Sequence, residues 1–184
     1  YSYTKFDRLG RDIESGEFTP SSTLTEMVAK DPQSLEIWMP HPLNNPPHQV
    51  LKTTYDYPLN PSVNNLFPNG QLELRGRVSA KEYIDGEDEN RNYSEYPSYD
   101  LHGNIDHLIK DFPSLEHLGY RYIDLVYSYD LLSGKVNEFH LAPNNPILGY
   151  SHFYEYDSNL RLTEVKTKRY NKPIDLNTRY TYYN

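Results

Sequence analysis

Five carboxylates in this chain stand directly after an aromatic residue, at Phe6-Asp7, Tyr55-Asp56, Tyr99-Asp100, Tyr129-Asp130 and Tyr156-Asp157. Asp beside aromatic rings is the residue chemistry of a glycosidase, which pairs an acid with a nucleophile or base. The numbers argue otherwise. With 19 Tyr and 13 Asp in 184 residues, random order would give about one Tyr-Asp pair, and four occur. An active site needs one unique pair, whereas a residue that recurs in every copy is a structural part. Asp is a turn former, because its carboxylate accepts backbone N–H groups two residues on.

Other chemistries fail in turn. The seven histidines (41, 48, 102, 107, 117, 140 and 152) have no H-E-x-x-H spacing, which leaves solvated or packing roles. The stretch Asp85-Gly-Glu-Asp-Glu-Asn90 lacks the Asp/Asn alternation and distal Glu of a calcium loop. Neither a G-x-S-x-G elbow nor a G-x-x-x-x-G-K-[ST] phosphate loop occurs. Zero Cys excludes disulfides and thiolate metal sites. A net charge of −8 argues against nucleic acid as a partner. No apolar run is long enough to span a membrane. The expectation is a non-enzymatic chain with no catalytic residue, cofactor or metal.

The residues around the dipeptides supply the element that positions them. Four sites share a tail: Phe6-Asp-Arg-Leu-Gly10-Arg-Asp-Ile13, Tyr99-Asp-Leu-His-Gly103-Asn104-Ile105, Tyr129-Asp-Leu-Leu-Ser-Gly134-Lys-Val136 and Tyr156-Asp-Ser-Asn-Leu-Arg161-Leu162. The aromatic ends one strand and the Asp opens a turn. A Gly supplies the positive-φ position, and a polar-then-aliphatic pair starts the return strand. Flanking stretches alternate with period two, as in Ile123, Leu125, Tyr127 and Tyr129 against Asp124 and Ser128. Each site reads as a β-hairpin corner, and recurrence makes it a repeat. Its structural motif residues are Phe6, Asp7, Gly10, Tyr99, Asp100, Gly103, Asn104, Tyr129, Asp130, Gly134, Tyr156, Asp157 and Arg161.

These corners resemble the YD repeat of bacterial Rhs-type proteins, related to the repeats of animal teneurins. The match is closest at Tyr99–Ile105, Tyr127–Asn137 and Tyr154–Thr163; Tyr3–Arg11 is similar, and Leu74-Arg-Gly-Arg-Val-Ser79 resembles a divergent strand pair. The resemblance covers residues 1–19 and roughly 71–184. It implies an antiparallel meander of hairpins curling into a hollow shell around a C-terminal toxin or other cargo. It also implies neighbouring repeats as partners and a secreted or cell-surface location in a bacterium. Rhs-type proteins can carry a self-cleaving aspartyl segment built on an Asp-Pro-x-Gly-like motif. The only Asp-Pro here, Asp31-Pro32, is followed by Gln-Ser, so that activity does not carry over.

Composition fits a β array: three Ala stand against 19 Tyr, and Tyr favours strands where Ala favours helices. The fold expected is mainly β, a curved antiparallel sheet of roughly eight to twelve strands, in one domain with a non-repeat insertion at about 20–70. Within 20–40, one or two short helices are expected, from Thr23-Leu-Thr-Glu26 as a capping box and Asp31-Pro32 as a second N-cap. Leu24, Met27, Leu35 and Trp38 should plug one sheet face, while Leu59–Gly70 reads as a loop. The end stretches Tyr1–Lys5 and Arg179–Tyr183 should be open edges able to pair with a second copy. The alternative function is carbohydrate binding or cell-surface adhesion by Tyr-rich faces, with glycans as partners.

Overall fold

A computed structural model describes residues 1–40, 45–86, 88 and 91–183. Eleven strands form one antiparallel sheet whose spatial order is the chain order. They are β1 (Ser2–Phe6), β2 (Asp12–Phe18), β3 (Pro47–Tyr55), β4 (Val78–Ile84), β5 (Tyr93–Tyr99), β6 (Ile105–Asp111), β7 (Tyr122–Tyr129), β8 (Val136–Leu141), β9 (Tyr150–Tyr156), β10 (Leu162–Arg169) and β11 (Asp175–Arg179). The sheet does not close into a barrel, so β1 and β11 are its edges. The mainly β antiparallel meander expected from the sequence is the fold.

The span 20–70 contains helices and one strand. Residues 47–55 in its middle are β3, a regular member of the sheet. On one side of β3 lie helices α1 (Glu26–Lys30) and α2 (Pro32–Trp38). Asp31 caps α2 as its sequence implies, accepting from Ser34 N at 3.0 Å, with Pro32 in the first turn. The cap of α1 is Thr25 rather than Thr23. Trp38 buries against Tyr3 and Phe18, with Leu35, Val28 and Met39 packed around them. The expected plug is therefore half right. Met27 is 81% exposed and Leu24 stays at the surface, because a five-residue helix has barely more than one turn to aim inward, and Val28 occupies that direction.

On the other side of β3, the stretch read as a loop contains a third helix, α3 (Pro61–Asn64). Asn60 caps it, accepting from Val63 N at 3.0 Å, and Pro61 is its first residue. Four residues are too few to display a helical period, which hides α3 from pattern reading. It sets Val63 and Phe67 on Ala80, Tyr96 and Ile109 of β4–β6, with Leu59 and Leu66 alongside. Each large side chain buried there contributes about 1.5–3 kcal/mol.

The two lids cover only part of the sheet. Not one residue of β7–β11 is buried. A 3-10 segment, Pro113–Leu118, links β6 to β7 and ends on Gly119 at φ +76°. The expected edge over Arg179–Tyr183 is corrected: β11 stops at Arg179, and Tyr182 lies beyond the strand. Of the acidic stretch 85–90, residues 87, 89 and 90 lie outside the described residues, as does His41.

Candidate functional site

The site that the repeat builds is a column of corners along one side of the sheet, joining β1 to β2, β3 to β4, β5 to β6, β7 to β8 and β9 to β10. Within a corner the Asp carboxylate organises the turn. Asp7 Oδ1 accepts from Leu9 N at 2.8 Å and Arg11 N at 2.9 Å. Asp100 Oδ1 accepts from His102 N at 2.9 Å and Asn104 N at 2.8 Å. Asp157 Oδ1 accepts from Asn159 N and Arg161 N, both at 2.9 Å. The fourth corner is one residue longer, and Asp130 Oδ1 takes Leu132 N at 3.2 Å and Ser133 N at 2.7 Å.

Electrostatics follow this geometry. The backbone N–H of Arg11 holds the Asp7 carboxyl below its usual range; that of Arg161 does so for Asp157, and that of Ser133 for Asp130. At Asp100, desolvation pushes upward, and the bonds from Asn104, His102 and Gly103 outweigh it. The turns need one left-handed residue. Gly10, Gly103 and Gly134 supply it at φ +77°, +92° and +67°, while in the last copy Leu160 holds φ +60°.

The Tyr55-Asp56 corner is the same device split open by the α3 excursion. Asp56 N donates to the Arg77 carbonyl, as Asp7 N does to that of Arg11. Gly76 sits at φ +73° and its N–H reaches Asp56 Oδ1 at 2.6 Å. The stretch 74–79 is thus the return half of a corner, with its first half some twenty residues earlier in the chain.

Strand register carries the repeat one step further. Each corner aromatic pairs with the first residue of its return strand: Phe6 with Asp12, Tyr55 with Val78, Tyr99 with Ile105, Tyr129 with Val136 and Tyr156 with Leu162. The following residue (Ile13, Ser79, Asp106, Asn137 or Thr163) is skipped in the pairing as a bulge. A bulge disrupts the ladder and frees a carbonyl, which a buried backbone must satisfy elsewhere. The next corner's tyrosine does so. Tyr55 Oη donates to Asp12 O at 3.0 Å, Tyr99 to Val78 O at 2.9 Å, Tyr129 to Ile105 O at 2.7 Å, Tyr156 to Val136 O at 2.9 Å and Tyr182 to Leu162 O at 2.8 Å. Every tie runs back by one corner. Burial raises the pKa of Tyr99, Tyr129 and Tyr156, keeping these hydroxyls as donors.

Arginines add a second tie. Arg11 binds its own Asp7 through Nε at 2.7 Å, reaches Asp56 through Nη2 at 2.8 Å, and lies 4.3 Å from the Tyr55 ring centre. Arg77 lies 5.3 Å from the centre of Tyr99, and Arg161 lies 4.5 Å from that of Tyr182 while binding Asp157 at 2.7 Å. Hydrogen bonds from the Arg11 guanidinium lower the Asp56 carboxyl and raise the Arg11 pKa. Sequence reasoning named Arg161 alone among the arginines; Arg11, Gly76 and Arg77 stood in stretches it matched to the repeat, but their part in the column was missed, as was that of Tyr182. Tyr182 has Tyr183 where an Asp would stand, but the alternation Tyr180-Thr-Tyr182 matches Tyr127-Ser-Tyr129 and Tyr154-Glu-Tyr156.

The described histidines are dispersed. His102 is exposed on a corner; His140 sits between Ser151 Oγ at 2.8 Å and Glu138 at 3.0 Å; His152 meets the Tyr150 hydroxyl. Among the described residues, no group of three or more His, Cys, Asp or Glu is placed to hold a metal ion. None of their helices is long and apolar enough to cross a membrane. Neither a scan against protein-family models nor a search of curated proteins finds a match to this chain.

Proposed function

We propose that this chain is a non-enzymatic structural section of a YD-repeat shell of the Rhs type, a wall that encloses a C-terminal toxin or other cargo at or outside a bacterial surface. The observation that carries this reading is the column of corners. Five copies of one turn each spend their carboxylate on backbone N–H groups, and the four that carry tyrosine spend its hydroxyl on the preceding copy, which supports a repeat whose job is to extend a sheet. The open edges of β1 and β11 are where neighbouring repeats, or a second copy, continue the ladder. The test is limited proteolysis of the full native polypeptide together with electron microscopy. The expected result is a hollow particle with this section in its wall, inside which a flanking domain resists protease. A flanking domain digested as fast as it is in isolation overturns the reading.

A second reading, carbohydrate binding or surface adhesion, is favoured by one feature. Tyr127, Tyr129, Phe139, His152 and Tyr154 form a half-exposed row across β7–β9. Several of these rings present faces to each other, Tyr127 to Tyr129 at 23° and Phe139 to His152 at 26°, rather than one shared platform to solvent. That geometry ranks scaffold ahead of glycan platform. Oligosaccharide titration that shifts the Phe139 and His152 resonances would reverse the order.

A further inference from the structure

Arginine is missing from two steps of the column: at corner four, where Lys135 takes its place and keeps a cation, and at corner three, where the residue is neutral. Corner one sends Arg11 over Tyr55, corner two sends Arg77 over Tyr99, and corner five sends Arg161 over Tyr182. Corner three has Asn104 at the equivalent position. Its Nδ2 repeats the bond that Nε makes in Arg11 and Arg161, donating to Asp100 Oδ2 at 2.9 Å, but the side chain ends there and has nothing to extend over Tyr129. At this step lies a cavity of about 490 Å³ with Asp100, Asn104, Asp106, Tyr127, Tyr129 and Asp130 in its wall. Among the described residues, no Lys or Arg lines it. An independent feature points the same way: Asp106, the bulge residue of this corner, has a buried Oδ1 with no hydrogen-bond partner. Leu131 and Leu132 also line the cavity and are 79% and 98% exposed, with Leu101 of the adjoining corner at 83%.

We propose that this cavity receives an arginine side chain from a partner polypeptide, seated as Arg11, Arg77 and Arg161 are at their own steps. The guanidinium stacks on the Tyr129 ring and binds the carboxylates of Asp106 and Asp130. Aliphatic residues flanking that arginine cover Leu101, Leu131 and Leu132. The partner's class follows from charge and shape: an anionic wall asks for a cation, a tyrosine face favours a planar one, and exposed leucines call for an apolar neighbour.

The test titrates the isotope-labelled chain with acetyl-Leu-Arg-Leu-amide and follows backbone amides by NMR. Saturable shifts are expected at Gly103, Asn104 and residues 130–134, with binding about ten-fold or more tighter than for acetyl-Leu-Gln-Leu-amide. Asn104→Arg supplies the guanidinium from within, so it should raise the unfolding midpoint and weaken peptide binding about ten-fold or more. Asp106→Asn keeps the fold and weakens binding by a similar factor, which preserves the test should Asn104→Arg fold poorly. Equal affinity for the Arg and Gln peptides, no saturable shift into the millimolar range, or undiminished binding to Asp106→Asn each overturns the proposal.

Discussion

Leu160 is the residue most at odds with its setting. It holds φ +60° at a position where the four other corners place glycine, and a branched side chain in that region costs about 1–2 kcal/mol. Leu160→Gly should therefore stabilise the chain, by about 0.5–1 kcal/mol once the entropy of the added glycine is deducted. Gly103→Val makes the opposite change. Its Cβ would come within 2.6 Å of the Arg77 guanidinium as well as taking φ +92°, so a loss of about 1–3 kcal/mol is expected. Urea unfolding of both variants checks the pair of signs. The carboxylates give a pH dependence of definite direction. Asp7, Asp100, Asp130 and Asp157 all titrate below their usual range when folded. Their stabilisation is present above the unfolded carboxylate pKa of about 3.9 and is lost as pH falls through the depressed folded values. The unfolding midpoint should hold from pH 7 to about 5 and then fall, and Asp157→Asn should remove part of that fall. A midpoint flat to pH 2 would show the turn bonds to be energetically idle.

At the scale of the element, the tie between corners is one hydroxyl per hairpin. Tyr129→Phe leaves the Ile105 carbonyl without the partner it has at 2.7 Å, and should cost about 0.5–1.5 kcal/mol. Amide exchange should then quicken around residues 99–105 and leave the corner at Asp7 unchanged, because the tie joins nearest neighbours only. How much of this was readable beforehand depended on range. The turn at Asp100 is chemistry within five residues, so Asp and Gly announced it. The backward hydroxyl bond couples residues 20 to 43 apart, and no local pattern encodes such a contact. The split corner defeated reading for the same reason, since Asp56 and Gly76 stand apart in sequence and adjacent in space. Residue type alone could not distinguish Arg11 as a column tie from Arg11 as a solvated charge, because that depends on where the next tyrosine lies.

For the whole molecule, burial is lopsided. Both clusters of buried side chains involve β1, β2 and β4–β6, and β7–β11 hold none. Stability in an array of this kind is a sum of local and nearest-neighbour contributions, so it need not be uniform. Amides of β9–β11 are expected to exchange faster than those of β4–β6 by a factor of about ten or more. Trp38 is the sole tryptophan and packs against Tyr3 and Phe18. Its fluorescence should report loss of the lidded end at higher denaturant than the far-ultraviolet signal reports loss of strand. Coincident transitions would instead make the sheet one cooperative unit.

The hydroxyl ties all point the same way along the column, and that direction has a consequence for length. Each hairpin needs only the carbonyl that its predecessor offers and in turn offers one to its successor, so the array has no privileged middle. Copying the stretch from Asp130 to Tyr156 and inserting it after Tyr156 would place every donor opposite an acceptor of the kind it already meets. Such a sheet can be extended hairpin by hairpin without redesign of any joint, much as a chain of identical links accepts one more.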